Sequence, residues 1–347
     1  MKTSPECYLK PMKILCVGSH FFEPTHHSMG SIILGIQQHA ELAFLGRQPH
    51  PHPQPGIPLP GYFDPWQMKG PWRPEADLVH GISAGIISIR VGELLAEGLP
   101  YVVSLVGGAD LSRELVDPKL AAGYQRLFAR VSAITVPFTQ ATAALVAAGC
   151  PREKIVEIPL GLPARSYPQH APSGPRTALW VGRRLDRKNR ALAIAAAQRS
   201  RLLERLVVVG ETSTEEQAAA PQKVEFTGTL DHARLLPLLA GSQLLLQTGW
   251  PTGQEFDTLP TVVLEALAVG MPVVSTPLAG VRELAARFPA LVHLGETEEE
   301  LAAACDHLLE DTTWRPAAAA VSSEILAEYS IRGAVDRFLS LYQRLLA

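Results

Sequence analysis

The sequence lacks a strong excess of either charge, a long apolar run and a recognisable targeting segment. Its net charge is −3 over 347 residues, which leaves no basic face of the size that nucleic-acid binding requires. No run approaches the roughly 20 apolar residues of a membrane-spanning helix, and the apolar start Ile14–Val17 is too short for a signal peptide. We therefore expect a soluble, cytoplasmic protein that binds no nucleic acid and has at most peripheral membrane contact.

Metal-binding and disulfide patterns are also missing. The four cysteines lie far apart, with no Cys-x-x-Cys pair and no His/Cys set at zinc spacing: Cys7, Cys16, Cys150 and Cys305. Such a distribution is typical of buried thiols in a reduced compartment. No Asp-x-Asp sequence occurs either. We expect no metal site and no bound cofactor.

The chain is rich in apolar residues, which make up 47% of it against 19% charged residues, so it can form two ordinary domains. Short apolar runs alternate with helical patterns, which predicts parallel strands covered by helices. In the first half we predict strands at Lys13–Val17, Glu41–Leu45, Asp77–His80, Tyr101–Leu105, Ala133–Val136 and Ile155–Ile158. In the second half we predict them at Thr177–Val181, Leu206–Val209, Val224–Phe226, Gln243–Leu246, Pro272–Ser275 and Ala290–His293.

Two proline-rich stretches interrupt this alternation. Gln48–Pro74 is predicted to be loop, and Pro163–Pro175 an interdomain linker. We therefore predict two doubly wound, Rossmann-like α/β domains, 1–165 and 166–325, with a ligand in the crevice at the carboxyl ends of their strands. One amphipathic helix is predicted over Ala317–Leu346, and its part 326–347 is expected to pack on the N-terminal domain.

Asp257 and Glu265 form the most informative pair of acids. If a helix begins near Pro260, Glu265 lies in its second turn and Asp257 lies in the loop before it, since a turn takes about 3.6 residues. The neighbours of Glu265 are apolar, and a carboxylate there is costly unless it is hydrogen-bonded. Ribose hydroxyls would satisfy it, and the helix start would suit a diphosphate. The alternative is an acid at the helix start followed by a surface glutamate.

A basic cluster follows the first strand of the second half. It places five cations within eight residues: Arg183, Arg184, Arg187, Lys188 and Arg190. Arg183 is predicted at the end of the strand and Lys188 at the start of the next helix, where a bidentate fork and a mobile point charge would suit a leaving diphosphate. The alternative is a solvated charged turn, which we expect for the other three arginines.

In this order and spacing the segments resemble glycosyltransferase family 4, the glycosyl transferases group 1, which are retaining enzymes of the GT-B fold. Two family signatures are matched, Gly-Arg…Lys and acid-x7-Glu followed by Gly-x-Pro-Val-Val, by Gly182, Arg183, Lys188, Asp257, Glu265, Gly270 and Pro272. Three other segments resemble family strands and loops of the first domain: Asp77–His80, Gly107–Asp110 and Val131–Leu162.

The resemblance implies two Rossmann-like domains with a cleft between them, and transfer of a sugar from a nucleotide-diphosphate sugar to an acceptor with retention at the anomeric carbon. The N-terminal domain would bind the acceptor, which could be a small molecule, a glycan or a lipid-linked sugar. The leaving phosphate would take the proton of the acceptor, so neither a metal nor a dedicated base would be required. High Ala, Arg and Pro usage suggests a bacterial gene.

The same resemblance implies roles for individual residues. Glu265 would accept hydrogen bonds from the ribose. The leaving diphosphate would be stabilised by two cations and two backbone amides, which belong to Arg183, Lys188, Thr261 and Val262. Asp257 would contact the transferred sugar, and Gly30 would let the first loop of the N-terminal domain approach the phosphates.

Three positions depart from the family pattern. Asp257 stands where Glu is usual, and Glu255 could take its role. Gly107-Gly108 replaces His-Gly, so a side chain near the sugar is missing. The usual Gly-Gly is reduced to Gly30-Ser31, after a loop whose histidines either line an acceptor pocket or are ordinary loop residues: His20, His26 and His27.

Other functions stay open on these observations. A catalytically impaired GT-B partner protein that binds a nucleotide or sugar is the main alternative. An epimerase or phosphorylase would need groups that are not evident, and a nicotinamide oxidoreductase would need a Gly-x-Gly-x-x-Gly turn. One basic, apolar stripe allows membrane contact, although plain helix amphipathicity explains it equally: Lys119, Leu120, Tyr124, Arg126, Leu127, Phe128 and Arg130.

Overall fold

The computed structural model describes residues 11–18, 27–46, 61–62, 64–82, 85–105, 115, 117–162, 166–250 and 259–347. Its strands are β1 Lys13–Gly18, β2 Glu41–Gly46, β3 Gly61–Tyr62, β4 Leu78–Ile82, β5 Tyr101–Ser104, β6 Ala133–Val136, β7 Ile155–Glu157, β8 Thr177–Val181, β9 Arg205–Val209, β10 Val224–Gly228, β11 Leu244–Gln247, β12 Val273–Ser275 and β13 Val292–Leu294. Its α-helices are α1 His27–Gln37, α2 Ile86–Leu94, α3 Pro118–Arg130, α4 Thr139–Ala147, α5 Arg190–Arg199, α6 Thr214–Ala218, α7 His232–Gly241, α8 Thr261–Val269, α9 Ala279–Arg287, α10 Glu298–Glu310, α11 Arg315–Glu328 and α12 Ile331–Leu346.

The described chain forms two compact units. Unit 1 contains the described residues of Met1–Gly107, Glu114–Pro163 and Ile331–Ala347, and unit 2 contains those of Ala164–Ser330. Unit 1 has a seven-stranded sheet in the order β3-β2-β1-β4-β5-β6-β7. Unit 2 has a six-stranded sheet in the order β10-β9-β8-β11-β12-β13. Neighbouring strands are parallel in both sheets, so the α/β prediction is confirmed.

Each of the twelve predicted strands coincides with an observed one. These strands could be predicted because parallel strands are covered by helices on both faces and therefore consist of nearly continuous apolar runs. The short strand β3 lies inside the segment that we predicted as loop. It pairs two residues with the end of β2, Leu45 with Gly61 and Gly46 with Tyr62, and so short a strand leaves no periodic signal in the sequence.

The terminal helix predicted over Ala317–Leu346 is wrong as a single element. It is two helices, α11 and α12, separated at Tyr329 and Ser330. Tyr329 and Ala334, the buried residues on either side of the break, are five positions apart, so the apolar face of α11 does not continue into that of α12. Helix α11 packs on α8 of unit 2, whereas α12 packs on α1 of unit 1. The contact between α12 and α1 is close, because a Cβ at Gly35 would lie 2.5 Å from Cγ2 of Val335.

A buried polar chain ties α12 to the sheet of unit 1. His80 on β4 lies 2.7 Å from the Tyr342 hydroxyl through Nδ1 and 2.7 Å from Ser104 Oγ through Nε2, and Ser104 in turn contacts Thr135. Burial raises the pKa of Tyr342 well above its usual value, so its hydroxyl stays protonated. These contacts give both ring nitrogens of His80 and the hydroxyls of Tyr342, Ser104 and Thr135 a hydrogen-bond partner.

The prediction of buried thiols is confirmed for the three cysteines in the described ranges. Cys16, Cys150 and Cys305 are buried and free, while Cys7 lies outside those ranges. Burial raises the pKa of Cys16 to about 12 and that of Cys150 to about 11. Both thiols are therefore protonated and unreactive at neutral pH.

Candidate functional site

The sheet of unit 2 has one topological switch point, between β8 and β11. The two strands are neighbours, yet the chain continues from β8 to β9 on one side and from β11 to β12 on the other. The loops that leave the carboxyl ends of β8 and β11 therefore diverge and leave a crevice, which is where ligands bind in sheets of this type. The segment after β8, the start of α7 and the start of α8 all lie at this edge.

The basic cluster occupies the segment after β8. Arg183 is exposed, and none of the ion pairs formed by the described residues involves it. We predicted that Lys188 begins the following helix, and this is wrong. Lys188 is the last residue of a single 3-10 turn over Asp186–Lys188. Asn189 then adopts a left-handed conformation, with φ of 42°, before α5 begins at Arg190.

The end of β11 anchors this segment. Thr248 Oγ1 accepts a hydrogen bond from Trp180 Nε1 at 3.0 Å and lies 2.9 Å from the carbonyl oxygen of Asn189 and 3.1 Å from that of Lys188. The backbone N–H of Trp250 donates to the carbonyl of Arg187 at 2.9 Å. The path of the backbone at Lys188 is thus fixed by contacts with the neighbouring strand.

Arg190 is not the solvated turn residue that we expected. Its guanidinium forms an ion pair with Glu216 and donates to the carbonyl of Glu211. It also lies 5.9 Å from the ring centre of Trp180 and 5.6 Å from that of Phe226. Arg184, by contrast, is exposed and lies 3.6 Å from the Glu216 carboxylate, as in an ordinary surface pair.

Glu265 lies in the second turn of α8, which begins at Thr261 directly after Pro260 as predicted. Its side chain is buried, with 7% of the residue exposed, so the interpretation of a surface glutamate is wrong. The carboxylate oxygen Oε1 lies 2.8 Å from Nε2 of His232. A buried acid on an otherwise apolar helix is thus compensated by an imidazole of the same unit.

His232 is the site residue that the sequence analysis missed. It is the first residue of α7, and 33 positions separate it from Glu265. The Tyr167 ring meets the imidazole edge-on, with centroids 6.3 Å apart and an interplanar angle of 84°. No spacing in the sequence links these residues, because their contact depends on how α7 packs against α8.

Thr261 and Val262 are the first two residues of α8. Their amides cannot bond within the helix, because the first four N–H groups of a helix have no carbonyl one turn earlier. Both amides lie at the positive, N-terminal end of the helix dipole, and this end of a helix favours the binding of an anion. Their use by a ligand stays a prediction.

The remaining predicted residues lie in unit 1 or outside the described ranges. Gly30 is buried in the first turn of α1, and His27 begins that helix, so the expectation that they belong to a loop is corrected. The role of Gly30 toward phosphates stays a prediction. Several positions fall outside the described residues: His20, His26, Gly107, Gly108, Asp110, Glu255 and Asp257.

The stripe on α3 that allowed membrane contact is engaged within unit 1. Tyr124, Leu127 and Phe128 are buried. Arg126 pairs with Glu93, and Arg130 donates to backbone carbonyls after α2. Helix amphipathicity therefore explains the stripe.

None of the described helices is long and apolar enough to cross a membrane, and the described His, Cys, Asp and Glu side chains form no cluster of three or more that could hold a metal ion.

Comparison with solved structures defines the fold class. HepE of Anabaena, solved in complex with UDP and glucose, matches with a TM-score of 0.73 at 16% identity, over 96% of this chain and all of that one. Sucrose-phosphate synthase of Thermosynechococcus elongatus matches with a TM-score of 0.75 at 15% identity, over 96% of this chain and 99% of that one. The chain has the GT-B fold.

Sequence comparison then confirms the resemblance to a family. Residues 175–311 match the family model described as Glycosyl transferases group 1, so the chain contains a domain of that family. Among curated relatives, WcaL of Escherichia coli K12, named as a colanic acid biosynthesis glycosyltransferase, is 28% identical over 235 residues, 63% of this chain. The amylovoran biosynthesis glycosyltransferase AmsK of Erwinia amylovora is 26% identical over 62% of this chain. The match spans just over half of each relative, 57% and 56% of their lengths.

Proposed function

We propose that this protein is a retaining glycosyltransferase that moves a sugar from a nucleotide-diphosphate sugar to an acceptor without a metal ion. The observation that carries the proposal is the buried Glu265 carboxylate, held by His232 at the carboxyl edge of a doubly wound sheet. A fixed carboxylate at this place suits the vicinal hydroxyls of a ribose. The family match over residues 175–311 and the UDP bound by HepE support a nucleotide-sugar as donor.

The leaving diphosphate would be stabilised by groups that follow β8 and begin α8. Arg183 is exposed after β8, and the backbone at Lys188 is fixed by Thr248. With the amides of Thr261 and Val262, these cations would offset the charge that grows on the diphosphate as the glycosidic bond breaks. Such preorganised electrostatic stabilisation is usually the largest catalytic contribution. Asp257 would contact the transferred sugar.

The acceptor would be a small molecule, a glycan or a lipid-linked sugar bound by unit 1. The two curated relatives are named for the biosynthesis of colanic acid and amylovoran, which favours a saccharide acceptor. Its proton would pass to the leaving phosphate on the same face of the sugar, which is why retention is proposed. NMR of the anomeric proton in the product would show the stereochemistry directly.

The first experiment is a thermal-shift screen with UDP, GDP, ADP, dTDP and CMP and their sugar conjugates, in the presence of EDTA. We expect a rise in Tm for one diphosphate. Arg183→Ala should abolish most of that rise and lower kcat/KM by about 10²–10³-fold, as the loss of an oxyanion donor does.

Arg184→Ala is the matched control, because it removes the adjacent exposed arginine, whose partner is Glu216. It should behave like the wild type. If the Arg183→Ala variant were as active as the wild type at saturating donor, Arg183 would have no role in stabilising the leaving diphosphate. Binding of a donor without turnover or hydrolysis would favour a catalytically impaired binding partner instead.

A further inference from the structure

The buried carboxylate of Glu265 is stabilised by a hydrogen bond with the side chain of His232. This carboxylate is buried on an apolar helix, and within the described chain its hydrogen bonding comes from a single side chain, His232. The side chains of His232 and Glu265 are 14% and 9% exposed. A hydrogen bond to a buried carboxylate is strong and directional, so this contact fixes how the carboxylate is turned.

His232 is itself held in place from three sides. It opens α7, whose start is capped by Asp231, since Asp231 Oδ1 accepts the backbone N–H of Arg234 at 2.8 Å. Helix α7 packs against α8, and the Tyr167 ring covers the imidazole edge-on. The donor therefore belongs to a rigid element rather than to a mobile loop.

We infer that His232 is a positioning residue that sets the preference of this site for ribose over 2′-deoxyribose. The Nε2–H group of His232 donates a hydrogen bond to Oε1 of Glu265 and so fixes the plane of the carboxylate. An ionised carboxylate offers about four acceptor positions, so lone pairs remain for the two neighbouring hydroxyls of a ribose. Without His232 the carboxylate can rotate, and bonding to the 2′-hydroxyl loses its geometry. The inference rests on the proposed function, in which Glu265 binds the ribose.

The alternative is that His232 only satisfies a buried acid for the sake of stability. The two roles predict different effects of losing His232 on the affinities for a ribonucleotide and for its 2′-deoxy analogue. A structural role lowers the affinity for a ribonucleotide and for its 2′-deoxy analogue by the same factor. A positioning role lowers the affinity for the ribonucleotide more, because the deoxy form lacks the hydroxyl in question.

The test measures the Kd of UDP and 2′-deoxy-UDP by calorimetry in EDTA, with the GDP and ADP pairs run in parallel. The variants are His232→Ala, His232→Gln, which keeps an amide donor near the place of Nε2, and Glu265→Gln as the benchmark. His307→Ala is the control, since it removes an exposed imidazole on α10 of the same unit. Should His232→Ala fail to fold, His232→Phe keeps a ring against Tyr167 and still lacks the donor.

We expect the wild type to bind the ribonucleotide more tightly than its deoxy form. His232→Ala should lower that ratio by about tenfold, the value of one well-made hydrogen bond, and bring it close to the ratio of Glu265→Gln. His232→Gln should recover most of it, and His307→Ala should leave it unchanged.

Three results would overturn the inference, and they separate it from the proposed function. If no nucleoside diphosphate binds the wild type, the proposed function fails and this inference fails with it. If Glu265→Gln loses the preference and His232→Ala keeps it, the function stands and the role of His232 is wrong. If His232→Ala weakens both ligands equally, His232 is structural only.

Discussion

Gly210 offers a direct test of how the sheet of unit 2 places the segment that carries Arg183. It follows β9 with φ of 146°, in a region that side chains rarely adopt. A Cβ at this position would lie 1.9 Å from the carbonyl oxygen of Gly182. That oxygen belongs to the backbone, so no side-chain rotation can relieve the contact. Gly210→Ala must therefore push Gly182 and the adjoining Arg183 out of place.

The cost can be worked out from two contributions. A residue held in a sparsely populated backbone region costs about 1–3 kcal/mol. Forcing an extra methyl group into a filled space costs about another 1–3 kcal/mol. We expect Gly210→Ala to lower the free energy of unfolding by about 2–6 kcal/mol. We also expect it to weaken diphosphate binding in the molecules that remain folded, because Arg183 moves.

Gly228→Ala is the matched control, since Gly228 has φ of 74° and a Cβ added there would meet no atom within 4 Å. Its substitution adds only the left-handed backbone cost of about 1–2 kcal/mol. Urea denaturation gives the free energies of unfolding, and calorimetry with the diphosphate that raises Tm in the screen gives the Kd. If the two alanine variants were equally stable and bound that diphosphate equally well, the steric argument at Gly182 would be refuted.

Two further predictions concern buried polar groups outside the site. Burial lowers the pKa of His80 from 6.5 to about 3, so the unfolded chain takes up a proton first as the pH falls. His80 should therefore reduce stability by up to about 1.4 kcal/mol per pH unit from pH 6.5 down to about 3; urea midpoints across this range should change less steeply in His80→Gln. Asp306 accepts hydrogen bonds from Ser200 Oγ and the amides of Arg201 and Leu202. Although burial raises its pKa, these bonds lower it overall; Asp306→Asn should cost about 1–3 kcal/mol at pH 7 by urea denaturation, and an unchanged midpoint would contradict that role.

The parallel strands could be predicted because their physics is local. Strands such as β1, β5, β8 and β11 are buried on both faces, so each of them is an apolar run between turn residues. The start of α8 was predictable for a similar reason, since Pro260 precedes a helix that is apolar apart from Thr261 and Glu265 and is capped by Gly270, where φ is 83°. These features are determined by residues within a few positions of one another.

What could not be predicted depends on partners that are distant in the sequence. The break between α11 and α12 coincides with the passage of the chain from unit 2 to unit 1, and the two helices pack on partners far away in the sequence, α8 and α1. Arg190 resembles its neighbours in a charged turn until Glu216, 26 positions away, is placed beside it. In both cases the sequence carries the correct residue types, but only the packing decides what they contact.

The pair of His232 and Glu265 shows how such packing bears on function. An apolar helix with one acid allowed either a surface side chain or a ligand-binding one, and burial removes the first choice. The imidazole compensates the carboxylate from within unit 2, so the stability of this unit does not require a ligand to satisfy the buried charge. A nucleotide should then raise stability only by mass action, as RT ln(1 + [L]/Kd). A stability that follows this dependence with the Kd measured by calorimetry would agree with a single nucleotide site, and a steeper dependence would mean that the folded chain binds more than one nucleotide.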